Sequence, residues 1–154
     1  MPHNLHVVLV EPEIPSNTGS IGRLCLATQS TLHLVEPLGF EITDSRLKRA
    51  GLDYWHHLDV VVHPGLDAFF DSLPENAPLA LFSKKVEASY YDHEFQPGSY
   101  LIFGKETQGL PEKLMEQYTD RTFRIPIYDT RVRSINLANA VAVVLYEALR
   151  QCGP

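Results

Sequence analysis

Arg131-Val132-Arg133-Ser134-Ile135-Asn136-Leu137-Ala138-Asn139-Ala140-Val141-Ala142-Val143 is the stretch from which the rest of the chain is best read. Two arginines precede Ser134, a residue type that caps helices. Asn136 and Asn139 follow, three residues apart, a spacing that puts them on one helix face. Beyond them the pattern is almost wholly apolar through Val144, Leu145 and Leu149. A helix that is apolar all round is a buried one. Polar groups and cations therefore stand at the mouth of a buried helix. A structural helix has no need of them there, whereas a site for a polar ligand does.

Upstream, apolar runs at residues 5–10, 32–35, 60–62, 79–82, 100–103 and 123–127 read as buried strands. Helical patterns separate them at 18–29 behind Asn17 as a cap, 45–50 between Asp44 and Gly51, 66–72 ahead of Pro74, 112–118 with Pro111 at the first position, and 135–150 before Gly153-Pro154. The alternation predicts an α/β fold with a mainly parallel sheet flanked by helices. On strand pattern alone the sheet would be flavodoxin-like. Ligands of such sheets bind at the carboxyl ends of the strands. The loops 11–17, 83–87, 104–109 and 128–133 would meet at that edge.

With 154 residues, 44% of them hydrophobic and 21% charged, a single soluble domain over 1–154 is expected. No apolar run reaches the roughly 18–20 residues of a membrane span. The start lacks a basic segment followed by an apolar one, so no signal peptide is expected. Cys25 and Cys152 form no paired motif. That pattern fits a reducing cytoplasm and argues against a disulfide framework or a zinc site.

The net charge of −6 taken alone argues against a nucleic-acid partner. Its distribution matters more. Arg121, Arg124, Arg131 and Arg133 share a segment whose only acid is Asp129, Arg46, Lys48 and Arg49 form a second cluster, and Lys84-Lys85 a third. Each reads either as a phosphate-facing patch or as a solvated face.

Gly104-Lys105-Glu106-Thr107-Gln108-Gly109-Leu110-Pro111 begins like a phosphate loop, but lacks the Gly-Lys-Ser/Thr ending. No G-x-G-x-x-G occurs in the chain. The glycines either let the backbone approach a flat ligand or make a tight turn. Asn17-Thr18-Gly19 with Arg23 is either a cap with a surface residue or a group beside a bound phosphate or sugar. The seven histidines, His56, His57 and His63 among them, show no ligand spacing, so no metal is expected. Tyr54-Trp55 could stack on a base, with packing as the plainer role.

Three of these segments, taken in order, resemble the motifs of the SPOUT family of RNA methyltransferases in its small single-domain TrmL type. They are Glu11-Pro12-Glu13-Ile14-Pro15-Ser16-Asn17-Thr18-Gly19 with Arg23, then Leu101-Ile102-Phe103-Gly104-Lys105-Glu106-Thr107-Gln108-Gly109-Leu110, then Arg124-Ile125-Pro126-Ile127 through Ser134-Ile135-Asn136-Leu137-Ala138-Asn139-Ala140. Arg49-Ala50-Gly51-Leu52-Asp53-Tyr54 is similar to that type as well. The resemblance covers essentially the whole chain. It implies a deep trefoil knot at the C-terminal end, which residue patterns would not select because knots are rare.

It further implies S-adenosylmethionine bound in the knot, largely through backbone groups, with Leu81, Phe82, Gly104, Glu106, Ile125, Ile127, Ser134 and Leu137 as cofactor residues. The members are homodimers with a shared site. They methylate the ribose 2′-oxygen of the wobble nucleotide, cytidine or a modified uridine at position 34, in leucine tRNAs. Arg23 would take the proton or, since a guanidinium holds its own proton tightly, serve as a cation for the developing alkoxide and a phosphate. Asn17, Ser134 and Asn136 would orient Arg23 and the ribose, and Glu106 the loop or the cofactor amine. Two departures stand out: a longer 128–133 linker, and Lys105 where a proline is frequent.

Two other readings remain. A flavodoxin-like binding module would leave Asn136, Asn139 and the arginines without a role. The same fold could instead act on ribosomal RNA or another tRNA ribose.

Overall fold

The computed structural model describes residues 3–43 and 45–153, the side chains of Lys48 and of residues 50–53 excepted. The capping role expected of Asp44 falls outside the described residues. Six strands form one wholly parallel sheet: β1 (His6–Val10), β2 (Thr31–Val35), β3 (Val60–His63), β4 (Leu79–Phe82), β5 (Tyr100–Phe103) and β6 (Thr122–Phe123). Among the described residues five α-helices accompany them: α1 (Pro15–Ala27), α2 (Ser45–Gly51), α3 (Leu66–Asp71), α4 (Glu112–Gln117) and α5 (Leu137–Cys152).

The strand order is β3-β2-β1-β5-β4-β6. A flavodoxin-like order would seat β3 beside β1. Here β5 takes that place, so the flavodoxin-like expectation is corrected. The order reverses between β1 and β5, and the loops that leave these two strands face each other there.

Strand residues alternate between faces. On one face Val7, Leu9, Leu101 and Phe103 meet Ile21 and Cys25 of α1 and Val141, Val144, Leu145 and Ala148 of α5. On the other, Val8, Val10, Leu81 and Ile102 meet Phe69 of α3 and Leu114 and Met115 of α4. Burial of Cys25 pushes its thiol up to about 12. Among the described residues, no helix is long and apolar enough to cross a membrane.

Several local expectations need correction. α1 begins at Pro15 with Ile14 as its cap, so Asn17 lies in the first turn and not before it. A proline at the first position costs no hydrogen bond and starts the helix early. β6 spans two residues where five were expected. After Phe123 the chain leaves the sheet, and Arg124 bonds Ala88 (2.7 Å) and Tyr90 (3.0 Å). α5 starts at Leu137 with Asn136 as its cap, a role expected of Ser134. Nor is α5 buried all round: Val143 is 43% and Tyr146 54% exposed.

Three histidines form a ladder across the first three strands. His6 Nδ1 and His33 Nε2 lie 2.9 Å apart, as do His33 Nδ1 and His63 Nε2. Tyr100 stacks on His6, and Phe69 sets its edge against His33 and His63. Among the described residues no group of three ligating side chains could hold a metal ion. Trp55 packs on Gly22, where a Cβ would come within 2.7 Å of the indole.

Candidate active site

A cavity of about 630 Å3 opens at the carboxyl end of the sheet. Its floor is apolar. Phe82 and Phe103 stack at 4.9 Å, and Ile125, Ile127, Leu137 and Ala140 continue the surface. Its rim is polar: Ser83-Lys84-Lys85 after β4, residues 104–109 after β5, Asn17 on α1, and Ser134 and Asn136 before α5.

The 104–109 loop folds back on itself. Gly109 N–H donates to Lys105 O at 3.0 Å, and Gly109 takes a φ of +70°. A Cβ at Gly104 would sit 2.1 Å from the Gly109 carbonyl carbon, so only glycine fits there. The tight-turn reading of these glycines is the one the structure shows, and the turn lines the cavity.

Two reciprocal latches tie this loop to the one after β1. The Glu106 carboxylate accepts from Glu13 N–H (2.8 Å), Ile14 N–H (3.0 Å) and Asn17 Nδ2 (3.3 Å). In return the Glu13 carboxylate accepts from Thr107 N–H (3.0 Å) and Thr107 Oγ1 (2.8 Å). The Thr107 hydroxyl and amide hold the Glu13 carboxyl below its ordinary range. Lys105 pairs with Glu11 at 3.1 Å.

From Glu106 the bonding continues. Asn17, 9% exposed, accepts at Oδ1 from Asn136 Nδ2 at 3.1 Å. Asn136 Oδ1 in turn accepts from Ala138 N–H (2.8 Å) and Asn139 N–H (3.2 Å), capping α5. One carboxylate and two amides thereby fix three chain segments, and each amide's orientation is set by its partners.

The structure gathers most of the residues expected at the site. Phe82, Gly104, Glu106, Ile125, Ile127, Ser134, Leu137, Asn17 and Asn136 all line the cavity. Leu81 does not: strand alternation turns it into the opposite core, fully buried, while its backbone is engaged between β5 and β6. Arg23 also stands off the cavity of its own chain. It is exposed, with its guanidinium 5.2 Å from the centre of the Tyr54 ring. Asn139 is outside the lining, and exposed Arg131 is tied to Asp129. Glu13 and Ile14 were missed as site residues. Both lie within the first motif, Glu11 to Gly19, and the acidic Glu11 and Glu13 set against Lys105 and Glu106 were a further signal.

The cavity suits S-adenosylmethionine. Its volume is within the range of small-ligand sites, roughly 300–1,000 Å3. Stacked rings and aliphatic side chains offer an apolar slot for a purine, and backbone groups at the Gly104 turn offer edge contacts.

Comparison with known proteins agrees with this geometry. A protein of Saccharophagus degradans named tRNA (cytidine(34)-2′-O)-methyltransferase is 48% identical over 96% of both chains. A solved structure described as "Structural insights into the 2-OH methylation of C/U34 on tRNA" superposes with a TM-score of 0.93, at 48% identity over 98% of this chain and 97% of that one. The SpoU methyltransferase AviRb of Streptomyces viridochromogenes, solved with AdoMet, gives 0.84 at 26% identity, over 98% of this chain and 61% of that one. The profile of the SpoU rRNA Methylase family matches residues 4–146, and by that match the chain belongs to this family.

Proposed function

We propose that the protein transfers the methyl group of S-adenosylmethionine to the ribose 2′-oxygen of nucleotide 34, cytidine or a modified uridine, in leucine tRNAs, releasing S-adenosylhomocysteine and the hydroxyl proton. It acts as a cytoplasmic homodimer of this one domain. The observation that carries the reading is the Glu106–Asn17–Asn136 chain of hydrogen bonds closing one wall of the cavity. The relatives named for cytidine 34 support the substrate.

S-adenosylmethionine, when bound, supplies an electrophilic methyl on a sulfonium. Everything else is done by this chain. Phe82, Phe103, Ile125, Ile127 and Leu137 exclude water from the apolar slot. The Glu106 and Glu13 latches hold the Gly104 turn against α1, fixing the backbone groups that would hold the cofactor. Asn17 and Asn136 brace the wall, and Ser134 at the rim takes the ribose hydroxyl. Such positioning is worth roughly 7–11 kcal/mol of a barrier.

Arg23 acts in the site of a second copy, as a cation for the developing alkoxide and a neighbouring phosphate. Its exposure and its distance from its own cavity support this. The open stripe on α5, Val143 and Tyr146 with Asn139, supports a dimer that covers it. A trefoil knot at the C-terminal end is supported by the family match and by the superposition on the relatives, and the end of α5 is itself anchored. Gln151 Oε1 accepts from Phe95 N–H (2.7 Å), and Gln151 Nε2 donates to His93 O (3.2 Å), inside the connection between β4 and β5.

The test is methylation of total tRNA by purified protein with labelled S-adenosylmethionine, mapped by nuclease digestion and mass spectrometry. Label at position 34 of leucine tRNAs is expected. Label confined to ribosomal RNA or another tRNA position overturns the substrate. No binding of S-adenosylmethionine in calorimetry overturns the reading whole.

A further inference from the structure

Cations and anions are treated unequally around the cavity. Lys105 is neutralised by Glu11, and the Glu106 carboxylate is occupied by three donors. After the neighbouring strand β4, Lys84 and Lys85 both line the cavity. Among the described residues neither ammonium has a carboxylate partner. Two adjacent exposed lysines without a carboxylate partner therefore border one cavity in a protein whose net charge is −6. Their backbone is not loose. Ser83 N–H donates to Phe123 O at 2.9 Å, and Lys85 N–H donates to Ser83 Oγ at 3.1 Å, so the turn off β4 is held at both ends.

The geometry points to Lys84 and Lys85 as an anion clamp at this rim, one that grips a carboxylate or phosphate oxygen of a molecule seated in the cavity. The inference rests on the proposed function and deepens it. Two molecules there carry such a group: the cofactor, through the carboxylate of its amino-acid end, and the RNA, through the phosphates flanking the target ribose. Lysine suits either, as a compact charge that needs no planar partner. An apolar floor with one cationic rim would also orient an adenosyl ligand, base inward and charged end toward the lysines.

The experiment uses the full-length protein, K84Q/K85Q, and the charge-keeping K84R/K85R. Calorimetry with S-adenosylhomocysteine and with 5′-methylthioadenosine, which lacks the carboxylate, reads the cofactor arm. Filter binding of tRNA across a salt series reads the RNA arm. If the clamp holds the cofactor, K84Q/K85Q weakens S-adenosylhomocysteine about tenfold and leaves methylthioadenosine unchanged. If it holds RNA, cofactor affinity is unchanged, tRNA binding weakens, and the log–log salt slope becomes shallower by about 1.4, at about 0.7 per phosphate contact. In either case K84R/K85R stays near wild type. Wild-type affinities in K84Q/K85Q for all three ligands overturn the clamp while leaving the proposed function standing. A wild-type protein that binds neither S-adenosylhomocysteine nor tRNA overturns both.

Discussion

Asn136 Nδ2 donates to Asn17 Oδ1 across 3.1 Å, joining side chains 119 residues apart in the chain. Each amide has its other end engaged: Asn17 Nδ2 on Glu106, and Asn136 Oδ1 on the first amides of α5. Neither can turn over without placing like against like.

That property separates capping from bracing. In N136D the carboxylate still caps α5, but it has no proton for Asn17. If Asn17 turns to meet it, the Asn17 oxygen faces Glu106. Thermal stability within about 1 kcal/mol of wild type is expected, with S-adenosylhomocysteine affinity down about tenfold or more. N136A should lose about 1 kcal/mol from the cap as well. Wild-type methylation by N136D would sink the bracing role.

Glu106 makes the sharper stability prediction. Three donors converge on its carboxylate. In E106Q one oxygen becomes a donor and at least one N–H is left unmet, at a cost of about 1–3 kcal/mol. Urea unfolding measures this directly, and an unchanged midpoint would show that the latch contributes nothing.

The histidine ladder predicts acid sensitivity away from the site. Burial, with His6 and His63 adding to it, pushes His33 down to about 3, and burial lowers His6 and His63 as well. An unfolded histidine takes up its proton near pH 6.5. Between that pH and about 3 the unfolded chain binds more protons than the folded one. Stability therefore falls as pH falls, by up to about 1.4 kcal/mol per pH unit for His33 alone. Urea midpoints at pH 7.5, 6.5, 6.0 and 5.5, where ordinary carboxylates stay mostly ionised, should decline in wild type and decline less steeply in H33L. Parallel profiles would remove His33 as the cause.

Arg23 is tested by mixing copies. R23A and N136A are each expected to be nearly inactive. Co-expressed under two tags and purified as the mixed dimer, they should regain about half of wild-type activity, because one of the two sites then has both residues intact. A mixed dimer as inactive as its parents would return Arg23 to its own chain's site, and an active R23A would leave it with no role.

Strand positions were legible because apolar runs bounded by turn residues are a local signal. β4 and β5 fall where the runs predict them. The 123–127 run misled because Ile125 and Ile127 are apolar for the cavity and not for a sheet face. Strand order was not legible, since nothing local says that β5 and not β3 lies beside β1. At the site, residue types were readable but partners were not. Ser134 and Asn136 are both good caps, and only the fold decides between them. Asn17 looked like a cap because its true partner, Glu106, lies 89 residues away. Leu81 entered the expected site through the family resemblance, which names a loop, whereas strand alternation sends its side chain and that of Phe82 to opposite faces.

The Glu106–Asn17–Asn136 chain also bears on how the molecule is made. During synthesis, at about 5–20 residues per second, α1 emerges long before either partner that orients its first turn. The wall of the cavity can close only once residue 136 has left the ribosome and the final helix has formed. A polypeptide released early would carry the β1–α1 motif intact yet have no assembled wall. Ligand binding is thereby tied to the formation of α5, and cofactor could stabilise only molecules in which that helix has docked.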